Sequence, residues 1–409
     1  MTGMEHIGLD QIEAAAKLVG PAVRRTPLVA ARVLSELIGH EVRLKCENLQ
    51  RTGSFKPRGA YNRIANLSES ERRRGVVAAS AGNHAQGVAW AASTLGISST
   101  VFMPVGASLP KLVATRAYGA TVHQVGETID QSLVAAMEFA AQTGATLIHP
   151  FDHPDIVAGQ ATVGLELLEQ LPEVDTVIVP TGGGGLLAGV AVALEHLAPK
   201  VRIVGVQAAQ AAAWPGSLQA GKPVALEKMS TMADGIAVGR PGEVPFAHVA
   251  DRVSQIVTVD EDALSRAMLL CIERAKLIVE PAGAAAVAAL MTYSAAELGI
   301  GGPVCAILSG GNVDSLLLTR LIGHGLGAAG RYLVLRVTIP DRAGSLGRLL
   351  AEIGRTGASV FEITHSRTGA WLAVDEAEVS LTLETRGPTH RDEVIEALVT
   401  SGYTVRVQD

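Results

Sequence analysis

The chain has 409 residues. It predicts an α/β protein: two doubly wound parallel-sheet lobes followed by a small βαββαβ domain. Three observations carry this. From Gly75 to Asp152, short β-rich runs alternate with helical patterns, the mark of βαβ units. A second alternating series runs from Asp175 to Asn312. Beyond Arg331 the pattern changes to period-two strands with one apolar face.

In the first series VVAAS is a strand and HAQGVAWAASTLG a helix ending at Gly96. STVFMP, TVHQVG and TLIHPF are further strands, separated by the helices PKLVATRAYGA and IDQSLVAAMEFAAQTG. In the second series DTVIVP and RIVGVQ are buried strands, and EDALSRAMLLCIERAKL is a helix. PVCAILSGGN is a strand ending in glycines. In the last domain RYLVLRVTIP, VFEITHS, EVSLTLE and YTVRV are strands. SLGRLLAEIG and HRDEVIEALVTSG are the two helices, the first with Leu346, Leu349, Leu350 and Ile353 on one stripe. The glycines of GHGLGAAG, residues 323 to 330, read as a linker. The expected division is a large domain at 1–322, with a small lobe near 53–152 inserted in the large one, then the linker, then a small domain at 331–409.

Composition narrows the function classes. Net charge is −6, with 34 basic and 40 acidic residues interspersed, which argues against a nucleic-acid partner. Apolar residues make up 48%, yet no run reaches membrane-spanning length. The N-terminal stretch has acids and no long apolar core, so a soluble, cytoplasmic protein is expected. Cys46, Cys271 and Cys305 are too scattered for a disulfide framework or a zinc ribbon. His149 and His153 are four apart, but Pro150 and Pro154 break any helix that could pair them on a metal. With 44 glycines and 3% aromatics, the chain favours close packing and backbone-lined sites.

Three glycine-rich loops follow strands, where ligands gather in open α/β sheets. TGGGGLLAG, Thr181 to Gly189, places convergent backbone N–H groups before a helix and suits a phosphate. Gly183, Gly185 and Ala188 also match the dinucleotide pattern G-x-G-x-x-A. That pattern wants an acid after the next strand, where Gln207 stands. SAGNHAQG, Ser80 to Gly87, could cradle a carboxylate or be an ordinary capped turn. SGGN, Ser309 to Asn312, is the third loop. Lys56 sits among turn residues in TGSFKPRGA, as a surface turn or as a nucleophilic amine against a flat cofactor.

Together TGSFKPRGA, SAGNHAQG, TGGGGLLAG, ADGIAVG, EPAGA and LSGGN closely resemble the fold-type II pyridoxal-phosphate enzymes. The match is to the threonine dehydratase and serine racemase branch, over residues from about 10 to 320. The resemblance implies the tryptophan synthase β-like fold and pyridoxal 5'-phosphate as cofactor. Lys56 would be the Schiff-base lysine and Phe55 would lie beside the ring. Asn83 would hydrogen-bond the 3-hydroxyl. Gly182, Gly183, Gly184, Gly185 and Leu186 would hold the phosphate, and Ser309 would face the pyridine nitrogen. Gly235 and Glu280 would be near the ring. Ser80, Ala81, Gly82, Asn83 and His84 would form the substrate-carboxylate loop. The catalytic assignments fall on Lys56 and Ser80.

The implied reaction is loss of water and then ammonia from L-threonine or L-serine. Open alternatives are a lyase for another 3-hydroxy amino acid such as threo-3-hydroxyaspartate, a serine racemase, an NAD oxidoreductase, and a non-catalytic amino-acid sensor. Racemases of the branch carry a second serine where Ala81 stands, so little racemisation is expected. Their divalent-metal site uses acids where this chain has Gln207 and Ala213, so no metal is expected. The tail, with IPDRAGSLGRLLAEIG, resembles an ACT domain of ferredoxin-like fold. It implies an amino-acid effector, isoleucine or valine, held near Asp341 to Ser345, or a domain that only joins subunits. A homodimer or homotetramer follows from either.

Overall fold

The computed structural model describes residues 6–367 and 372–408. By its internal contacts the chain divides into two units, Met1–Ser315 and Leu316–Asp409.

The first unit holds ten strands among its described residues. They are β1 (Leu28–Ala30), β2 (Val42–Lys45), β3 (Val76–Ala79), β4 (Ser99–Met103), β5 (Thr121–Gln124), β6 (Thr146–Leu147), β7 (Thr176–Pro180), β8 (Arg202–Ala208), β9 (Gln255–Val259) and β10 (Val304–Ile307). One sheet has the order β1-β2-β10-β7-β8-β9, and a smaller one β5-β4-β3-β6. All pairings are parallel except β1 with β2. Strands β3 to β6 thus form a sheet of their own between β2 and β7. The strands expected from their apolar runs are present, except that TLIHPF is a strand only over Thr146–Leu147, its HP-containing end turning away from the ladder. Being covered by helices on both faces, β3, β7 and β10 are buried throughout, which is why they read as continuous apolar runs.

The small-residue composition is used where helices meet. Helix Pro154–Gln170 packs on helix Gly185–Leu197 so closely that a Cβ on Gly164 would stand 2.7 Å from the Ala193 Cβ. A Cβ on Gly189 would meet Ala161 N at the same distance. These glycines set the depth of the helix whose N-terminus carries the tetraglycine loop.

Two expectations need correction. The helix expected over EDALSRAMLLCIERAKL is α-helical only over Glu261–Leu270. It then widens into a π-turn, Cys271–Ala275, and Lys276 ends it in the left-handed region at φ 60°. No glycine is available there to take that conformation cheaply. The segment 323–330 is helical as far as Ala328, within helix Ser315–Ala328. Leu321 and Gly325 are buried on that helix, so packing outweighs the glycines' cost. Positive φ begins only at Gly330.

The second unit contains β11 (Tyr332–Pro340), β12 (Ser359–Ser366), β13 (Glu376–Glu384) and β14 (Thr404–Gln408). With helices Ser345–Thr356 and Pro388–Thr400 they give the order βαββαβ and a sheet β12-β13-β11-β14, antiparallel throughout. Leu333, Leu335, Val337 and Ile339 face a core with Leu349, Ile353, Val394 and Leu398.

Candidate active site

Lys56 opens helix Lys56–Ala65, with Pro57 in its first turn. The backbone before it is bent: Thr52 holds φ 59° and Gly53 φ 77°. Such strain at a non-glycine residue gathers at functional sites. Lys56 is half-buried. Its Nζ donates to the Pro150 carbonyl at 3.0 Å and lies 5.1 Å from the centre of the Phe55 ring. Burial lowers its pKa to about 8, against the pull of the nearby Glu280 charge. A near-neutral amine beside an aromatic ring is the form a nucleophile needs.

The SAGNH loop links β3 to helix Asn83–Thr94. Ser80 Oγ accepts the Gly82 N–H at 3.1 Å, and Ala81 lies between them. His84 is turned away, its Nε2 2.7 Å from the Ile148 carbonyl. Burial first, then the Lys56 charge, lowers its pKa to about 3, so it is neutral. A Cβ on Gly87 would come within 3.2 Å of the Lys56 backbone and Cβ, which seats the lysine against this helix.

Asn83 Nδ2 donates to Glu280 Oε1 at 2.6 Å, and its Oδ1 accepts from Asn312 Nδ2 at 2.7 Å. Asn312 Nδ2 also donates to the Thr52 carbonyl at 2.5 Å. Glu280 caps helix Pro281–Thr292 and accepts no side-chain cap bond of its own. Burial, then the Asp234 charge, raises its carboxyl to about 7. Gly310 allows this convergence: a Cβ there would stand 2.3 Å from Glu280 Oε1. Gly235 faces the same carboxylate, with its Cβ position 3.4 Å from Oε1. Ser309 is buried, its Oγ 3.5 Å from the Ala282 carbonyl.

Gly182, Gly183 and Gly184 lead from β7 into helix Gly185–Leu197, whose second residue is the buried Leu186. Gly184 caps it in the left-handed region at φ 99°. The first N–H groups of such a helix have no internal acceptor. A Cβ on Gly183 would fall 2.4 Å from the Phe151 ring, and one on Gly184 2.3 Å from Trp214. The cradle is therefore backbone only. Trp214 Nε1 donates to the Gly182 carbonyl at 2.8 Å, which fixes the loop from below. Gln207 holds Trp214 in turn, accepting its N–H at 2.9 Å and donating to the Ala211 carbonyl at 3.2 Å.

The site thus offers a poised amine, a flat apolar neighbour and a backbone anion cradle. These fit pyridoxal phosphate, which has a carbonyl carbon, a ring and a phosphate. Ser54 Oγ and Thr52 Oγ1 are buried beside Lys56 in sequence and have no partner. No group of three metal-ligating side chains stands together among the described residues. No helix among them is long and apolar enough to cross a membrane.

The structure adds Asn312, Phe151, Trp214, Lys111 and Asp234 around the site. Asn312 lay within a glycine loop already singled out. Asp234 lay in ADGIAVG and Phe151 in TLIHPF, though neither has a role legible there; Trp214 and Lys111 had no local signal, since each acts through a contact distant in sequence. Lys111 pairs with Asp234.

Residues 19–310 match the family model described as pyridoxal-phosphate dependent enzyme. The L-threonine ammonia-lyase of Thermotoga maritima is 43% identical over 401 residues, covering 98% of this chain and 99% of its own. The processed form of threonine deaminase isoform 2 from Solanum lycopersicum, a solved structure, is 36% identical with a TM-score of 0.72, covering 78% of this chain and 95% of that one. Maize serine racemase is 36% identical with a TM-score of 0.74, over 79% of this chain and 99% of its own.

Proposed function

The chain belongs to the pyridoxal-phosphate-dependent enzyme family, and on that premise we propose that it is a threonine ammonia-lyase. It converts L-threonine to 2-oxobutanoate and ammonia, and L-serine to pyruvate and ammonia. The observation that carries this is the Lys56 amine with its lowered pKa, on a backbone packed against Gly87 of the helix that follows the SAGNH loop, joined to 43% identity with the Thermotoga maritima enzyme over 98% of the chain.

Lys56 would hold the cofactor through its amine, with Phe55 along the ring. The N–H groups of Gly182 to Leu186 would take the phosphate. Asn83 and Ser309 would meet the polar ring edges, with Glu280 fixing Asn83 and Gly235 beside the Glu280 carboxylate. When bound, the cofactor supplies an electron sink for negative charge at the substrate α-carbon. The loop Ser80 to His84 orients the substrate carboxylate. Lys56, whose pKa burial lowers to about 8, would take the α-proton as its free amine. Ser80 accepts a bond from Gly82, which leaves its own proton free toward the substrate. The β-hydroxyl would depart as water, taking up the proton that Lys56 removed from the α-carbon. The enamine tautomerises to an imine, which takes up water and releases ammonia.

Maize serine racemase favours a second reading by its fold. Racemisation needs a proton donor on each face of the α-carbon, and Ala81 has none to give. Steady-state rates with L-threonine, L-serine and threo-3-hydroxyaspartate, with chiral analysis of the serine reaction, test both readings. The expected result is 2-oxobutanoate from threonine and little D-serine. Abundant D-serine, or turnover of hydroxyaspartate alone, would replace the assignment.

The second unit is a regulatory module of ACT type, binding isoleucine or valine. Ile339, Asp341, Arg342, Gly344, His365 and Arg367 line a hollow of about 430 Å³ within it. The chain acts as a homodimer or homotetramer.

A further inference from the structure

The loop expected to seat the substrate carboxylate, Ser80 to His84, brings no formal positive charge. Its one ionisable member, His84, is buried and points at the Ile148 carbonyl. Only neutral groups, the backbone N–H groups and the Ser80 hydroxyl, would face an anion there. A cation stands close by. Lys111, on helix Leu109–Ala117, lies with its Nζ 3.9 Å from where a Cβ on Gly82 would be. Its side chain is only 19% exposed, so its stem packs against protein, and its amine pairs at the surface within reach of the Gly82 loop.

Lys111 has one partner there, Asp234, whose side chain is 60% exposed. Asp234 comes from the turn Asp234–Ile236, next to Gly235. The two charges reach the site's interior, since both act on Glu280, in opposite senses. The pair therefore bridges the small-sheet lobe and the large-sheet lobe over the substrate loop. An exposed aspartate is a weak partner: water competes for it at little cost. A substrate carboxylate on the Gly82 loop would meet the same amine with less water around it.

We propose that Lys111 is a substrate-binding residue that exchanges Asp234 for the α-carboxylate of the incoming amino acid. The site is then specific for a free carboxylate, and Asp234 keeps the amine in place between turnovers. This rests on the pyridoxal-phosphate reading of the site.

The test uses holoenzyme and L-2-aminobutanoate, which has no β-hydroxyl to lose, so binding is read apart from elimination. Titration is followed by cofactor absorbance, for the free acid and for its methyl ester. Lys111→Gln should weaken the acid about 10- to 100-fold, the range of a charge-assisted hydrogen bond, and leave the ester unchanged. Lys111→Arg should restore most of the preference for the acid. Asp234→Asn should leave acid binding equal or tighter, because a competitor is removed. Equal weakening of acid and ester in Lys111→Gln would make the lysine a structural strut and overturn the proposal, as would no change in either. A wild-type protein that binds the acid but does not consume threonine would fail the lyase assignment and leave this result readable.

Discussion

Asn83 and Glu280 stand 197 positions apart in the chain and 2.6 Å apart in space. The bond ties the first residue of the small-lobe helix to the cap of helix Pro281–Thr292. Burial raises the Glu280 carboxyl to about 7, so folding takes up a proton there between the ordinary carboxylate range and neutrality. The cofactor-free protein should thus lose stability from this group as pH rises from about 4.5 to 7. Glu280→Gln keeps the acceptor oxygen and cannot ionise. Urea unfolding at pH 5 and 7.5 should show a smaller decline in the variant. An equal decline would remove Glu280 as its source.

Lys56 has the opposite charge type and titrates near 8. Recapture of cofactor by cofactor-free protein needs the neutral amine. Its rate, followed by absorbance, should climb with pH through about 8 and level off above. A lysine of ordinary pKa would keep climbing past 10. Lys56→Ala should show no borohydride-reducible linkage and lose nearly all turnover. Wild-type activity in that variant would refute the site.

Gly183 is enclosed by the Phe151 ring, which a methyl group would meet at 2.4 Å. Gly183→Ala should displace the loop and cost about 1–3 kcal/mol as overpacking. Cofactor affinity should fall by about tenfold or more, since every 1.4 kcal/mol is a factor of ten. Gly183→Ala with Phe151→Leu should recover part of it. Equilibrium dialysis of cofactor measures both.

Much of this site was legible before any coordinates. Lys56, Asn83 and the glycines sit in loops whose turn chemistry is local, so short motifs betray them. The parallel sheets around them follow from alternation, because βαβ units need parallel neighbours; the order of the strands was not legible. Lys111 was invisible for the reason surface charges usually are: a lone lysine on a helix has many uses; Asp234 lay in ADGIAVG, but nothing local tied it to Lys111. The helix over 315–328 was missed because Gly323, Gly325 and Gly327 read as breakers, while buried Leu321 decided the outcome. The π-turn after Leu270 had no sequence mark either, as it depends on where Lys276 must reverse.

Behind Lys56, on the same helix, Arg58 is fully buried. It donates to Glu47 at 2.8 Å and to Glu166 at 2.7 Å, and Glu166 also takes Lys45 at 2.7 Å. Burial would raise the Glu166 carboxyl, yet the bonds and charges of Arg58 and Lys45 hold it below its usual range. Arg58→Met leaves buried carboxylates short of partners and should cost about 3–5 kcal/mol of stability. Arg58→Lys should recover little, because one ammonium cannot span both carboxylates. Chemical denaturation measures this, and a cost below about 1 kcal/mol would show the network to be relaxed by water.

The second unit supplies the last prediction. Its first loop, Asp341 to Gly344, ends in Gly344 at φ 85°, the cap of helix Ser345–Thr356. That places free helix N–H groups at one side of the hollow of about 430 Å³. Arg367 lines the hollow too and donates to Asp341 at 2.9 Å. A zwitterion answers both: its carboxylate suits the helix N-terminus and Arg367, its ammonium suits Asp341. Ile339 and Leu346 line the same hollow and favour a branched aliphatic side chain. An effector can shift the enzyme only if it binds two states unequally, so occupancy and effect need separate measurement. Isoleucine, valine and threonine are titrated by calorimetry into the full chain and into a chain ending near Ser315. Isoleucine or valine should bind the full chain alone and alter its threonine saturation curve. Asp341→Asn should weaken that binding about 10-fold, as expected for one charge-assisted bond, with basal turnover intact. No binding to the full chain would leave the module as a joint between subunits, which the sedimentation of the two lengths would then reveal.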